Sequence, residues 1–479
     1  MNGDTPVERE PRLRLFIPLI VASGFFLEQL DSTIITTAIP DMAKALNETP
    51  LRLNIALTSY LVTLAVFIPI SGWIADRFSM RRTFATAVVV FTIGSIACGF
   101  SDSLSTLVAS RILQGLGGAM MNPVGRLILL RSFPRRDIVT AMTYVSLPSI
   151  LGPVIGPLAG GVITTYATWR WIFFVNVPFG VIGVLLALRY IRDVDSPPPA
   201  RFDTLGFVMC GLGMALFQIG VENLGHPVLA TPIIVAIFTA AVALVVIYVS
   251  YARRHDNAVL DLSVLRVRSF RIAAFAGGLC RIGLNGVPFL LPLMLQVGFG
   301  YTPIQSGSTT FIASLGGVVL RPVTIRLLRA LGFDRLMLVG TVFGAAMIAS
   351  FALIRPTTPY PLLLLAIFIF GFARNIQFNS IQTLTYSDIA SSALSRATSL
   401  GGVLQQLTMG FGISLSATVL SMIAGQGQTL SVPDFHRVFL ALACVPLVAL
   451  PGFALLRPED GAIVSGHRRR GREVGQAAD

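Results

Sequence analysis

Charge is what this sequence lacks. Only 12% of its 479 residues are Asp, Glu, Lys or Arg, about half the share of a soluble domain. Hydrophobic residues make up 54%, and the mean hydropathy is +0.76. A chain this long and this apolar is excluded from an ordinary water-soluble fold and is expected to sit in a lipid bilayer, crossing it many times. Lysine is nearly missing, since all but Lys44 of the 36 basic residues are arginine. The four cysteines, Cys98, Cys210, Cys280 and Cys444, fall singly in apolar runs. No pair has metal-ligand or disulfide-framework spacing, so they read as small buried hydrophobes. The four histidines, His226, His255, His436 and His467, lie in expected loops or the tail, which argues against a midplane histidine relay. There is no GxxxxGK[ST], no HExxH and no Ser/His/Asp set at membrane depth, so ATP hydrolysis and membrane-enzyme chemistry are not expected. The reading is a non-enzyme with no cofactor and no metal.

What the chain does contain is a series of apolar runs of spanning length. They occupy 15–38, 54–74, 84–101, 105–129, 139–163, 171–191, 203–221, 230–252, 272–296, 304–325, 335–354, 361–386, 396–424 and 436–456. The first run lacks a basic flank and a cleavage site and is taken as a retained helix. The net charge of +13 is not gathered on one domain, so nucleic acid is not an expected partner. With alternate loops assigned to the cytoplasm from the N-terminus onward, 28 basic residues fall inside and 5 outside. That asymmetry predicts an even number of spans with both termini cytoplasmic. The fold class is therefore an all-α polytopic membrane protein of fourteen helices in a 6+2+6 plan. Its expected parts are an N-terminus (1–14), a six-helix bundle (15–193), a linker carrying two extra helices of low polarity (194–265), a second bundle (266–460) and a basic tail (461–479). Paired six-helix halves around a midplane site are a common plan for secondary transporters.

Five charges lie at membrane depth. "FFLEQLDSTIITTAIP" (25–40) holds Glu28 and Asp31, three residues apart and so on one helix face. Arg111 lies early in span four. A guanidinium at that depth needs a carboxylate or a polar cavity, and these two acids are the only ones in the spans of the N-terminal half. Arg281 and Arg374 occupy the second half. With Gln114, Asn122, Asn285, Gln377, Gln382 and Gln405 they form the expected lining of a wet cavity. Two acids favour a cationic substrate, but the two arginines equally suit an anion.

Short patterns mark the spans. "GWIADRFSMRR" (72–82) follows span two, "RILQGLGGAMMNP" (111–123) lies in span four, and "LGPVIGPLAGG" (151–161) lies in span five. Gly72 reads as permitting close helix packing. In "LGPVIGPLAGG", Gly152, Gly156 and Gly160 recur every fourth residue and offer a face that another backbone can approach. Pro153, Pro157 and Gly161 lie among them. With "LDSTIITTAIP" (30–40) and "WRWIFFVNVPFG" (169–180), the set resembles the major facilitator superfamily. Within it the chain is similar to the fourteen-span drug:proton antiporters, the EmrB/QacA-like branch, and among these to enterobacterial multidrug transporters.

The resemblance implies a role for each pattern. Gly72, Asp76, Arg77 and Arg81 would form a latch, with Asp76 docking at the start of span thirteen near Ser395 to Ser399 in the outward-facing state. Ser79 and Met80 depart from the Gly and Arg usual there. The glycine–proline span would mark an antiporter, although as a bare packing motif it has no say on direction. The function implied is proton-coupled export of amphipathic or cationic small molecules across a bacterial inner membrane by alternating access. The alternative is a proton-coupled carrier of one metabolite or lipid. Partners are the small-molecule substrate, protons and the lipid bilayer, with a monomer as the expected state. Asp31, Glu28 and Arg111 are the proton-coupling candidates.

Overall fold

The computed structural model describes residues 13–133, 138–191, 202–225, 230–255, 258–390, 393–425 and 430–461. The expected N-terminal segment, the Pro-rich linker at 192–201 and the basic tail beyond 461 lie largely outside them.

Helix starts follow from local chemistry. The long helix Leu104–Ser132 (α6) opens on a reciprocal Ser103/Thr106 capping box. Helix Pro303–Val319 (α13) opens on a Thr302/Gln305 box with proline at its first position, and Val432–Leu447 (α17) on Ser431/Asp434. Each box satisfies donors that a helix start otherwise leaves bare. The other long elements are Leu13–Ile34 (α1), Asn54–Phe67 (α3), Met80–Gly99 (α5), Ile138–Tyr166 (α7), Asn176–Tyr190 (α9), Thr204–Gly225 (α10) and Thr231–Ala252 (α11). Then come Arg268–Leu293 (α12), Arg321–Ser350 (α14), Tyr360–Ser387 (α15) and Leu394–Ala424 (α16). Short helices are Ile39–Ala45 (α2), Ser71–Phe78 (α4), Trp171–Phe174 (α8) and Leu450–Ala454 (α18). Gly332, at φ 74°, breaks α14 into two pieces. No strand occurs among the described residues.

Eleven helices among the described residues are long and apolar enough to cross a membrane. Eleven of the fourteen expected ranges fall on them. The other three fall on α6, on the 29-residue α7 and on the 17-residue α13.

In the first half α1 packs on α7, α6 packs on α5 and α3, and α9 packs on α5. In the second half α13 packs on α15, α12 on α16, and α14 on α15 and α17. The halves meet along two seams, α3 against α16 and α7 against α13. Of the two helices read as additions, α11 packs mainly on α10, and Val242, Val245, Val246 and Ile247 are exposed along it. Its partner α10 is not a bystander. It packs on both α3 and α16 and covers the first seam.

A second, smaller core lies under this pair, with Met209, Met214 and Tyr248 beside Leu260, Val264, Phe270 and Leu400. Asp203 ties it down by accepting from Gly206 N (2.8 Å), Tyr251 Oη (2.7 Å) and Val259 N (3.1 Å). Asp261 pairs with Arg396 at 2.6 Å. Burial alone would raise the Asp261 pKa, but the Ser263 N–H and the Arg396 guanidinium outweigh it and hold the carboxyl below its ordinary 3.8.

Candidate substrate and coupling site

The centre of the first half is a polar network sealed in apolar packing. Asp31 and Arg111 are each 1% exposed and pair at 2.6 Å. Arg111 Nη1 also donates to Gln114 Oε1 (2.7 Å), and its Nε donates to the Ala56 carbonyl (3.1 Å). Its guanidinium lies 4.2 Å from the Tyr60 ring centroid. Asp31 Oδ1 accepts from Gln114 Nε2 (2.7 Å) and Asn176 Nδ2 (3.1 Å), and Asn176 also reaches Ser95 Oγ (3.0 Å). Every hydrogen-bond partner of Asp31 is a donor. The pairing expected between the acids and Arg111 is thus made by Asp31. Gln114 belongs to this sealed network and is wholly buried, so it does not line an open cavity.

Glu28 lies one helical turn from Asp31 and is also buried. Asn122 Nδ2 donates to its carboxylate. The two acids therefore have different surroundings, a contact ion pair for Asp31, and for Glu28 a hydrogen-bonded amide with the Arg126 charge farther off.

The glycine–proline span fits its packing role. A Cβ at Gly152 would stand 2.7 Å from Gln29 Cβ, at Gly156 2.1 Å from Thr33 Oγ1, and at Gly160 2.3 Å from the Ile34 carbonyl oxygen. The stripe therefore presses on the turns of α1 that carry Glu28 and Asp31. On another face, Gly161 meets the Pro303 carbonyl and the Pro157 carbonyl meets Gly307 of α13. Ser314 Oγ donates to the Pro153 carbonyl at 2.9 Å. One helix thus links the acid-bearing helix to the opposite half.

Around the expected latch, Asp76 accepts from Arg131 of its own half at 2.8 Å. The Ser399 hydroxyl, at the expected docking place, is buried without a hydrogen-bond partner among the described residues. Arg77 is exposed and Arg81 half-buried. Close packing at Gly72 is not found, because a Cβ there would meet nothing within 4 Å. The strained position is Ser79, with φ 78° and ψ 145°, a region nearly reserved for glycine. Its side chain caps α5 by accepting from Arg82 N at 3.3 Å.

In the second half, Arg281 Nη2 donates to Gln382 (3.1 Å) and Arg374 Nη2 to Asn285 (3.4 Å). Gln377 turns away from them. It is wholly buried and bonds the Met337 carbonyl (3.1 Å) and Thr341 (3.0 Å) of α14. Five residues separate it from Gln382, about 140° of helix rotation, so the two cannot line one cavity. Gln405 is half-buried on α16.

The reading of the chain missed Glu222. It accepts from Thr58 of α3 (2.8 Å), Ser414 of α16 (2.5 Å) and Gln218 of its own helix (2.8 Å). An intramembrane carboxylate touching both halves is a functional candidate by default. The signal was present in "QIGVEN" (218–223), but the expected span closed one residue short of the glutamate. Asn176 was missed too, inside the "WRWIFFVNVPFG" pattern.

A family model described as Major Facilitator Superfamily matches residues 21–413. The chain is 35% identical over 456 residues to "Putative multidrug resistance protein MdtD" of Enterobacter sp. (strain 638), covering 94% of this chain and 97% of that one. It is 36% identical over 443 residues to the protein of the same name from Pectobacterium carotovorum subsp. carotovorum (strain PC1), with coverages of 91% and 94%. Two solved structures share the fold. An auto-inhibited POT family peptide transporter has TM-score 0.66 at 17% identity, with 98% of this chain and 99% of that one covered. A bacterial homologue of the human lysosomal transporter Spinster, inward-facing and unoccupied, has TM-score 0.62 at 16% identity, with 98% and 100% covered.

Proposed function

Since the chain belongs to the major facilitator superfamily, we propose that it is a proton-coupled antiporter exporting amphipathic or cationic small molecules across a bacterial inner membrane by alternating access. The topology proposed with it has fourteen spans in the 6+2+6 plan and both termini cytoplasmic. The multidrug-resistance names of the relatives support the substrate class.

The observation that carries this reading is the sealed Asp31–Arg111 pair. A buried carboxylate tolerates loss of its counter-charge only if another cation replaces it, and a proton is the smallest replacement. When Arg111 swings away as the halves rock, Asp31 takes up a proton from the outside. When Arg111 returns, the proton leaves to the cytoplasm. Glu28, bonded by Asn122 and within reach of the Arg126 charge but in no ion pair among the described residues, is left to attract the cationic end of a substrate. The α7 stripe, pressed on the acid-bearing turns and on α13, transmits the movement. Asp76, Arg77, Arg81 and the Gly72 turn form the latch, with Asp76 moving from Arg131 to the start of α16 when the outward-facing state forms. Arg281, Asn285, Arg374 and Gln382 belong to the cavity.

The test uses everted vesicles holding the full chain. Addition of a transported cation should release protons from the lumen with wild type and not with Asp31→Asn present at equal abundance. Normal gradient-driven export by Asp31→Asn removes Asp31 as the proton carrier. Reporters fused at 225 and 262 should read as periplasmic and cytoplasmic, and a reversal at either overturns the topology.

A further inference from the structure

The second half carries one buried and one half-buried arginine, Arg281 and Arg374, with no acid among the described residues beside them to neutralise them. Arg281 is 5% exposed, and neither it nor Arg374 forms an ion pair among the described residues. The acids between 266 and 460 are Asp334, Asp388, Asp434, Glu459 and Asp460. All lie at helix ends or breaks: beside the Gly332 break, capping α15, in the first turn of α17, and after α18. None is at the depth of the arginines. The partners the arginines do have are single neutral amides. The Nε–H of each guanidinium is buried without an acceptor. Beside Arg281, a cavity shared with Gln382 and Tyr386 measures about 10 Å³, room for about one water.

The geometry makes a pair of them. Arg281 and Asn285 lie one turn apart on α12, and Arg374, Phe378 and Gln382 repeat at one-turn spacing on α15. Each arginine reaches across to the other helix. Both guanidinium carbons approach the same Phe378 ring, at 4.9 and 6.0 Å from its centroid. They are therefore at most 10.9 Å apart, the sum of those distances. Two under-neutralised guanidiniums around one aromatic ring match a flat apolar body carrying a negative group. Two unused Nε donors match its oxygens.

We infer that Arg281, Arg374 and Phe378 form an anion subsite, and that the substrates include amphipathic anions carrying a sulfonate, sulfate or carboxylate. The inference rests on the carrier reading above and widens it. Glu28 of the first half serves cationic groups, the arginine pair of the second half serves anionic ones, and a zwitterion uses both.

Binding of radiolabelled oestrone-3-sulfate to the purified full chain, read by scintillation proximity, tests the subsite, with tetraphenylphosphonium as the cationic counterpart. Wild type should bind both saturably. Arg281→Gln and Arg374→Gln should each weaken oestrone-3-sulfate by about 10- to 100-fold, the loss of a charge-assisted contact. They should tighten tetraphenylphosphonium, because a repelling charge is removed. Arg281→Lys, which keeps charge but not the fork, should fall between wild type and Gln. No saturable oestrone-3-sulfate binding by wild type overturns the subsite. Equal loss of both probes also overturns it by returning the arginines to a structural role. Competition by phosphatidylglycerol, with no effect of the Gln variants on oestrone-3-sulfate, assigns the pair to a lipid headgroup and overturns it as well. Driven uptake into proteoliposomes is measured separately. Binding without uptake refutes the export reading and leaves the subsite standing, and uptake of tetraphenylphosphonium without oestrone-3-sulfate binding does the reverse.

Discussion

Thr58 of the first half and Ser414 of the second donate to the same carboxylate, Glu222, at 2.8 and 2.5 Å. The seam between α3 and α16 is therefore clasped by a third helix, α10, which the 6+2+6 plan treats as an addition. Hydrophobic burial does not favour helix association inside a bilayer, so such contacts count for more in holding helices together.

Glu222→Ala is expected to lower stability in detergent by about 2 kcal/mol, since it removes the acceptor shared by Thr58, Ser414 and Gln218, two of them on other helices. Glu222→Gln keeps an acceptor and should lose roughly half as much. Thermal unfolding of the purified variants measures both. If Ala matches wild type, the clasp contributes nothing to the seam.

Two glycines that look equivalent as small residues in family-like patterns should behave in opposite ways. Gly160→Ala places a methyl 2.3 Å from the Ile34 carbonyl, a backbone atom that cannot rotate aside. It should cost about 1–3 kcal/mol and slow transport by pushing α1 away from α7. Gly72→Ala meets open space within a helix, so it should be neutral or stabilise by up to about 1 kcal/mol. Melting curves and initial transport rates of the two variants make the comparison, and a harmless Gly160→Ala would contradict the packing role.

Which parts were legible in the chain follows from how strongly each residue is constrained. Arg111 had to find an acid, and the N-terminal spans offered two, so its pairing was readable before any geometry. Which acid it chose was not, because Glu28 and Asp31 share a helix face. The donors that settle the choice, Gln114 and Asn176, come from other helices. Gln377 and Gln382 are both polar residues on one span, and only the helix rotation between them sends one to α14 and the other to Arg281. Glu222 was lost to a boundary, the least reliable feature of any span drawn from hydropathy. At Gly72 the expectation of close packing failed because its surroundings are open, and the strain of the turn falls instead on Ser79, as the positive φ shows. The long helices were legible because lipid demands apolar runs that satisfy their own backbone. The fourteen-span count rests on the apolar runs together with their charge asymmetry, because α6 and the 17-residue α13 do not declare themselves by apolarity and length.

The sealed network makes a prediction about its own energetics. Asp31 and Arg111 are both 1% exposed, so removing either partner leaves the other charge buried and uncompensated. Asp31→Leu and Arg111→Met should each destabilise by about 3–5 kcal/mol. The double variant replaces the pair with apolar groups of similar bulk, and its cost should be far below the sum of the two. It leaves Gln114 and Asn176 short of an acceptor, which sets a residual cost of about 1–3 kcal/mol. A double-mutant cycle on unfolding in detergent reads the coupling directly. Additive losses would mean that the charges are screened from one another in the folded protein, against the 2.6 Å contact. Coupling alone does not establish proton transport, but the same four proteins allow that question to be asked separately. If exchange of a proton for Arg111 drives the cycle, the double variant should regain stability and still fail to move protons with substrate. A stable double variant with normal proton release would place the coupling elsewhere, and Glu28 and Glu222 are the acids to examine next.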